Sequence, residues 1–357
     1  MNSIKTASVC GLGKLGACIA ATLAARGFEV VGVDIDQEKV KKINEGLAPL
    51  DEPLLAETIR AGHSRLRATL DPREAVATDV TFFIPPSPSQ PDGSFSNEFL
   101  LKAMQPVARA VKDAGKKNHL FVCSSTTTPG AMDAVLIPML EREIGGICGR
   151  DFSVCYNPEF IALGDVINGL LEPDLVLIGE SDPQSGAALE QLYKKYNRNS
   201  PRIARMSIVS AELTKISLNS YVTMKISFTN QLRMIAARHP QADIHVILDA
   251  LGSDSRIGKK YLRAGLSYGA RVSRAKPSFG LHCPAGRPGS AAGRGFGPGE
   301  RANQGRARRE STGNGLPGRY GCGSGRYLQA EHAYYRGSGG TFSGATAQTA
   351  RLPRPRS

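Results

Sequence analysis

Short apolar runs alternate with longer segments of helical spacing over the first 200 residues. The apolar runs predict strands and read, in order, TASVC, FEVVGVD, VTFFI, HLFVCS, FSVCYNP and DLVLIG. Helical spacing between them predicts helices, among them one at about 97–113 and one opened by Pro129 and Gly130. This alternation is typical of a parallel sheet covered by helices. We therefore predict an α/β fold, with a Rossmann-like doubly wound parallel sheet in residues 1–205.

The pattern changes at Ile208. Residues 208–239 contain no Gly or Pro and carry apolar residues at helical spacing for about nine turns. One helix of that length suits a connector or a dimer core better than a layer on a sheet. Shorter helices are predicted in ADIHVILDALG and at about 259–264. We assign 206–268 to an incomplete helical central domain and predict a homodimer through the 208–239 helix.

Residues 269–357 differ in composition from everything before them. They hold fifteen Lys and Arg, three Glu and no Asp, so 12 of the +13 net charge lies there. Neither helical nor strand periodicity survives, and a segment so poor in Leu, Ile and Val cannot bury a core. We predict a disordered basic tail. It lacks the aromatic interleaving and amphipathic spacing of nucleic-acid-binding and membrane-binding segments, so we expect neither partner.

The spacing of the cysteines and histidines bears on disulfide formation and metal binding, and therefore on the cellular compartment. The seven cysteines form no C-x-x-C pair, and the six histidines form no H-x-x-x-H pair. Reduced thiols and no metal site are therefore expected. No apolar run approaches the ~18–20 residues of a membrane span, and no signal-peptide pattern opens the chain. We expect a cytoplasmic protein.

A glycine-rich turn follows the first predicted strand and opens a helix. It matches G-x-G-x-x-G, and its residues are Gly11, Leu12, Gly13, Lys14, Leu15 and Gly16. Glycines there permit a tight turn and close approach to a pyrophosphate, which the helix N-terminus attracts. The second strand ends in Asp34, where a carboxylate can accept the ribose hydroxyls and would repel a 2′-phosphate. This context predicts NAD rather than NADP; a structural turn in another α/β fold is the alternative.

Further motifs, in matching order, resemble the UDP-glucose/GDP-mannose dehydrogenase family, the nucleotide-sugar 6-dehydrogenases. They are PPSPSQPDGSF, SSTTTPGAMD, YNPEFIALGDVINGLLEPDLVLIG, AELTK with a later Asn, and SDSRIGKKYLRAGLSYG, and the resemblance covers about 4–268. It implies oxidation of the C6 alcohol of a UDP-hexose or UDP-N-acetylhexosamine to a uronate, with NAD, for polysaccharide synthesis. The β-hydroxyacid dehydrogenases share the turn and a K-x-x-x-N helix, but N-P-E-F and D-x-R-I-G argue against them.

The resemblance also implies roles for individual residues. Lys39 would approach the adenosine end of NAD, and Ser87 and Thr126 would contact the cofactor. Residue 128 is Thr where the family motif has its first proline.

On the substrate side, the resemblance assigns Glu159 to the acid–base steps and to the substrate site. Lys215 and Asn219, four residues apart on one helical face, would stabilise an oxyanion beside the nicotinamide. Arg256 would reach the nucleotide-sugar across a dimer interface. A solvated lysine on a polar face is the plainer interpretation of Lys215.

The family's nucleophilic cysteine is missing. Its motif, G-G-x-C-x-P-(K/R)-D, should begin at about Gly269, where this chain reads GARVSRAK. Back-translated with one base restored, the same residues can read Gly-Pro-Cys-Phe-Pro-Arg-Glu. We hypothesise a single-base deletion near Gly269, after which 269–357 are read out of frame and replace the UDP-sugar-binding domain. The flanks of Cys283 match nothing in the family, so it is not assigned as the nucleophile.

Two functions stay open at this point. One is a nucleotide-sugar dehydrogenase impaired by loss of the cysteine segment, and the other is a non-catalytic NAD-binding remnant of that family.

Overall fold

Eight strands form one sheet in the computed structural model, which describes residues 4–161 and 164–263. In chain order they are β1 (Thr6–Cys10), β2 (Glu29–Val33), β3 (Leu66–Thr69), β4 (Val80–Phe83), β5 (Leu120–Cys123), β6 (Ser153–Tyr156), β7 (Leu175–Glu180) and β8 (Arg202–Ser207). Their spatial order is β3-β2-β1-β4-β5-β6-β7-β8. The first six follow the order of the dinucleotide-binding fold, in which the winding reverses between β1 and β4.

Nine α-helices accompany the strands in the described part of the chain. They are α1 (Lys14–Ala25), α2 (Gln37–Asn44), α3 (Leu55–Gly62), α4 (Glu98–Asp113), α5 (Ile137–Ile144), α6 (Val166–Leu171), α7 (Pro183–Tyr196), α8 (Ile208–Ala236) and α9 (Ile244–Ser253). A π-helical turn at Met132–Leu136 leads into α5.

Alternating strand residues pack on opposite faces of the sheet. Phe82, with α1, α6 and α7, belongs to the core on one face. The next residue, Phe83, joins α4, α5 and the first turn of α8 in the core on the other face. Because successive strand side chains point to opposite faces, a sheet covered on both sides needs such continuous apolar runs. The predicted doubly wound α/β fold is confirmed.

The sheet differs from the prediction in one pairing. Every neighbouring pair is parallel except β6 and β7, where Tyr156 pairs antiparallel with Gly179. An apolar run indicates that a strand is buried, but it carries no information on strand direction. The sheet is therefore mostly parallel, with one antiparallel pair of neighbours. β3 and β8 had no prediction, since LRAT and RIARMS carry charged residues that hide their pattern.

The helical predictions after the sheet are partly right. α8 begins at Ile208 as expected and ends at Ala236 rather than at residue 239. The helix predicted at about 259–264 is wrong for its described residues, 259–263. Tyr261 has φ of 64° there, in the left-handed region that breaks a helix. The sheet ends at Ser207, and the division into 1–205 and 206–268 remains a prediction; the 269–357 tail lies outside the described residues.

Candidate active site

The predicted motifs meet at one edge of the sheet. β2, β1, β4, β5 and β6 are adjacent and parallel, so their carboxyl ends lie side by side. The glycine turn, Asp34, the Ser87 segment, the Thr126 segment and the Glu159 segment each follow one of these ends. Ligands of open α/β sheets bind at this edge, beside the switch point between β1 and β4.

The glycine turn has the geometry that a pyrophosphate requires. Gly11 has φ of 98°, which disfavours other residues, and its N–H donates to the Val33 carbonyl at 2.8 Å. A Cβ at Gly16 would overlap the Gly11 carbonyl oxygen, so only glycine allows α1 to pack this closely. A Cβ at Gly13, by contrast, would meet no atom within 4 Å. That open face allows a ligand to approach the backbone.

The N-terminus of α1 is free to receive an anion. Gly13 is its N-cap and offers no side-chain acceptor, and the first turn has no acidic residue. The unpaired N–H groups and the positive end of the helix dipole therefore favour phosphate. Lys14 faces the protein instead, with its ammonium 2.7 Å from the buried carboxylate of Glu52. Leu15 packs against the core.

Asp34 connects the glycine turn to the carboxyl end of β2. Its carboxylate accepts from the Leu12 N–H at 2.6 Å and from the Asp36 N–H at 2.9 Å. The Lys39 ammonium lies 3.6 Å from the same carboxylate. A carboxylate has about four acceptor positions, so two remain for hydroxyl donors. The residues present therefore fit an NAD ribose at this position.

Two residues that are predicted to contact the cofactor have hydroxyls without a protein partner among the described residues. The Ser87 Oγ is buried without a hydrogen bond. Thr126 is half-buried and makes no side-chain hydrogen bond in the described part of the chain. Buried polar groups are normally satisfied, so unpaired hydroxyls beside a phosphate turn fit a bound cofactor.

The hydroxyls on either side of Thr126 are occupied by structural contacts. Ser125 donates to the Pro85 carbonyl at 2.5 Å. Thr128, which replaces a proline of the family motif, accepts from the Phe95 N–H at 2.8 Å. A proline at that position has no side-chain acceptor. The exchange therefore adds a contact between this loop and the segment that follows Ser87.

The Glu159 carboxyl lies in an apolar pocket between α1 and α7, lined by side chains that include Leu23, Phe82 and Tyr193. Burial raises its pKa to about 7, against a smaller opposing effect of Lys215 and of a Tyr193 hydrogen bond. The backbone carbonyl of Glu159, rather than its carboxyl, accepts from the Lys215 ammonium. The predicted pair is thus brought together through the main chain.

Lys215 is buried on α8 and is not a solvated lysine. Burial lowers the pKa of its ammonium to about 8, although Glu159 acts in the opposite direction. The ammonium lies 4.5 Å from the centre of the Phe160 ring. Asn219 follows one turn later and is half-buried. Arg256 is not part of this group: it is exposed and pairs with Asp254 at 2.7 Å.

Sequence reasoning missed the residues that hold the site segments in place. Asn157 donates from its side chain to the Leu177 carbonyl at 2.8 Å and accepts from the Tyr193 hydroxyl. Glu212 accepts three hydrogen bonds from the loop after β5. The N-P-E-F and A-E-x-x-K motifs contained both, but nothing in their spacing indicates a positioning role.

No thiol in the described part of the chain is poised as a nucleophile. All five described cysteines are buried or half-buried and free of disulfides. Burial raises the pKa of Cys10, Cys18 and Cys155 to about 12, and it also raises the pKa of Cys123 and Cys148. Since the thiolate is the reactive form, these residues are inert at neutral pH. Cys283 and the segment at Gly269 lie outside the described residues.

The described residues offer neither a membrane-spanning helix nor a cluster of metal ligands. None of their helices has the length and apolar character needed to cross a membrane. They also contain no group of three or more His, Cys, Asp or Glu placed to hold a metal ion.

Solved structures and characterised proteins share this architecture. The chain is 35% identical over 268 residues to UDP-glucose 6-dehydrogenase AglM of Haloferax volcanii, covering 73% of this chain and 61% of that protein. It is 34% identical over 267 residues to GDP-mannose 6-dehydrogenase of Pseudomonas putida, covering 73% and 60%. The UDP-glucose dehydrogenase structure from Pyrobaculum islandicum superposes with a TM-score of 0.71 at 33% identity, covering 77% of this chain and 63% of that one.

The chain spans about three-fifths of the length of these curated relatives. The NAD binding domain of the UDP-glucose/GDP-mannose dehydrogenase family matches residues 5–197. The family's central domain matches residues 209–279. With the phosphate turn, the ribose carboxylate and the unpaired hydroxyls at one sheet edge, these matches make NAD the cofactor. The chain therefore belongs to the UDP-glucose/GDP-mannose dehydrogenase family.

Proposed function

We propose that this chain is a nucleotide-sugar 6-dehydrogenase by descent that binds NAD and does not complete oxidation of the sugar. The observation that carries the proposal is a disparity within the site. The sheet edge holds the groups that are predicted to bind the cofactor, whereas every described cysteine is buried or half-buried with a raised pKa. The alternative, a chain that still turns over, requires a thiolate from residues outside the described part.

The retained groups suit the first half of the reaction. NAD would accept the hydride from the sugar C6. Lys215 carries a pKa of about 8, so at pH 7 its ammonium can donate to the alcohol oxygen as that oxygen loses its proton. Asn219, one turn away, can supply a second donor. Glu159, with a pKa of about 7, can hold or release a proton near neutrality, provided its carboxyl turns out of the apolar pocket.

The second half of the reaction lacks its nucleophile. Capture of the aldehyde requires a thiolate, and residues 269–276 contain no cysteine. The proposed single-base deletion near Gly269 accounts for this loss and for the abrupt change of composition. We propose that residues 269–357 stand in place of the UDP-sugar-binding domain. Sequencing the locus tests this: no second Rossmann-like half in either other frame would contradict it.

We further propose a UDP-sugar as the substrate of the ancestral reaction and a homodimer through α8. The dimer proposal is supported by exposed apolar side chains along one stripe of α8, at Leu218, Tyr221, Met224, Phe228 and Ile235. Spacing of three, four and seven residues aligns them for a second copy of the helix. Light scattering should give a dimeric mass for the full chain and a monomeric mass for Phe228→Lys, with exposed Ile147→Lys as the control. A monomeric wild-type chain would contradict the proposal.

The function is tested by turnover. The purified full chain is incubated with NAD and a panel of UDP-sugars plus GDP-mannose, and NADH is followed by absorbance. We expect NAD binding without sustained NADH formation. Steady turnover that disappears in Lys215→Met would overturn the proposed loss of function. It would also show that a nucleophile is supplied outside the described residues.

A further inference from the structure

Glu212 is a buried acidic residue on α8, about one turn before Lys215. Its side chain is fully inaccessible to solvent. The carboxylate accepts from the Thr127 hydroxyl at 2.8 Å, from the Gly130 N–H at 2.6 Å and from the Met132 N–H at 3.2 Å. Thr127 and Gly130 lie in the loop after β5, and Met132 is the first residue of the helical turn that leads into α5.

These contacts act as an N-terminal cap supplied from a different element. The Gly130 and Met132 N–H groups lie at the start of a helical segment, where intrahelical acceptors are missing. A carboxylate is favoured there by the helix dipole and by charge-assisted hydrogen bonds. Burial raises the pKa of Glu212, while the three donors oppose that rise. Glu212 is therefore not a surface charge, and its contacts attach α8 to the loop after β5.

The clamped loop is the one that carries Thr126. Thr127, the next residue, donates to Glu212, while Ser125 and Thr128 hold the loop to the segment after β4. Between Ser125 and Thr128, Thr126 is the one residue whose side chain makes no hydrogen bond in the described part of the chain. Its hydroxyl is therefore oriented entirely by contacts that its neighbours make.

We propose that Glu212 is a positioning residue that fixes Thr126 for NAD and thereby couples the position of α8 to cofactor affinity. The inference rests on NAD binding by the family domain and does not depend on sugar oxidation. Coupling of this kind is reciprocal, so NAD should also stabilise the contact between α8 and the loop.

Glu212→Gln is the informative substitution. It keeps the length of the side chain but replaces one acceptor oxygen with a donor that faces N–H groups. Leaving such a group unsatisfied typically costs enough to weaken a dependent equilibrium about tenfold. We expect Glu212→Gln to raise the Kd for NAD about tenfold in calorimetry on the full chain. Thr126→Val should weaken binding by removing the hydroxyl itself.

The double variant distinguishes positioning from general destabilisation. If Glu212 acts through Thr126, then Glu212→Gln should add little, less than about twofold, to the loss already caused by Thr126→Val. Asp79→Asn is the matched control, because Asp79 accepts from the Lys5 and Thr6 N–H groups at the opposite end of β1. It should lower Tm and leave the Kd within twofold of wild type.

Several results would overturn the inference. One is a double variant in which the two substitutions raise the Kd for NAD independently. Another is a Glu212→Gln variant with a lowered Tm and an unchanged Kd. The others are wild-type NAD affinity in Thr126→Val and no NAD binding by the wild-type chain. If Glu212→Gln does not fold, Thr127→Val removes one of the three donors and takes its place in the same cycle. Sustained turnover with normal NAD binding would overturn only the proposed loss of function and would leave this inference standing.

Discussion

Replacing Glu159 with Gln should make the protein more stable relative to wild type as the pH rises, because the Glu159 carboxyl is buried. The Glu159 carboxyl lies among apolar side chains between α1 and α7, and burial raises its pKa from 4.5 to about 7. A raised folded-state pKa means that folding favours the protonated acid. The stability this group contributes is therefore fully present below about pH 4.5 and is lost as the pH rises through about 7.

The magnitude follows from the two pKa values. One pKa unit corresponds to about 1.4 kcal/mol, so ionising Glu159 costs the fold about 3 kcal/mol at pH 8 and about 1 kcal/mol at pH 5. Gln is neutral at both pH values and has nearly the same shape. The stability of Glu159→Gln relative to wild type should therefore rise by about 2 to 3 kcal/mol between pH 5 and pH 8. This corresponds to a relative Tm gain of about 5 to 10 °C.

Thermal and urea unfolding of both proteins, measured at intervals from pH 5 to pH 8, provide the assay. Glu57→Gln is the control, because Glu57 is exposed on α3 and lies outside the pocket. Parallel stability curves for Glu159→Gln and wild type would refute the reasoning. They would show that the carboxyl is solvated, hence already turned toward the cofactor edge.

Three further predictions concern the turn, the cofactor choice and the opposite end of the sheet. Gly16→Ala should lower Tm and abolish NAD binding, because the new Cβ overlaps the backbone of Gly11. Gly13→Ala should weaken NAD binding with little change in Tm, because its Cβ meets no protein atom. Equal Tm values for the two variants would contradict this prediction. Asp34→Asn should raise the Kd for NAD about tenfold in calorimetry and should reduce the ratio of the Kd for NADP to the Kd for NAD. An unchanged ratio would show that Asp34 is not the residue that discriminates between the two dinucleotides. His119 is buried, and burial lowers its pKa to about 3. The stability that the neutral imidazole contributes is therefore complete above pH 6.5 and falls by about 1.4 kcal/mol per pH unit below that. In urea denaturation, the free energy of unfolding of His119→Gln should lack this pH dependence, and an unchanged pH dependence would contradict the prediction.

The sequence alone predicts the sheet and the cofactor edge well, for physical reasons. Strands buried on both faces need continuous apolar runs, and Leu120–Cys123 is such a run. The glycine turn is equally informative, because Gly11 and Gly16 meet conformational and steric demands that other residues do not. Local requirements of this kind are visible in a single sequence.

The remaining features depend on contacts between distant residues. The antiparallel pairing of Tyr156 with Gly179 is set by how the chain returns to the sheet, not by either strand. In the sequence Glu212 looks like any glutamate on a helix, and only the structure shows its contact with Thr127. Likewise, the N-P-E-F motif identifies Glu159, but only packing against α7 shows that its carboxyl is in an apolar pocket.

Calorimetric titration of the full chain with NAD measures whether the cofactor-binding edge of the sheet is intact. We predict saturable binding of one NAD per chain, at least tenfold tighter than NADP. Gly16→Ala, measured under the same conditions, should show no binding. A wild-type chain that binds neither dinucleotide, or binds both equally, would contradict the account.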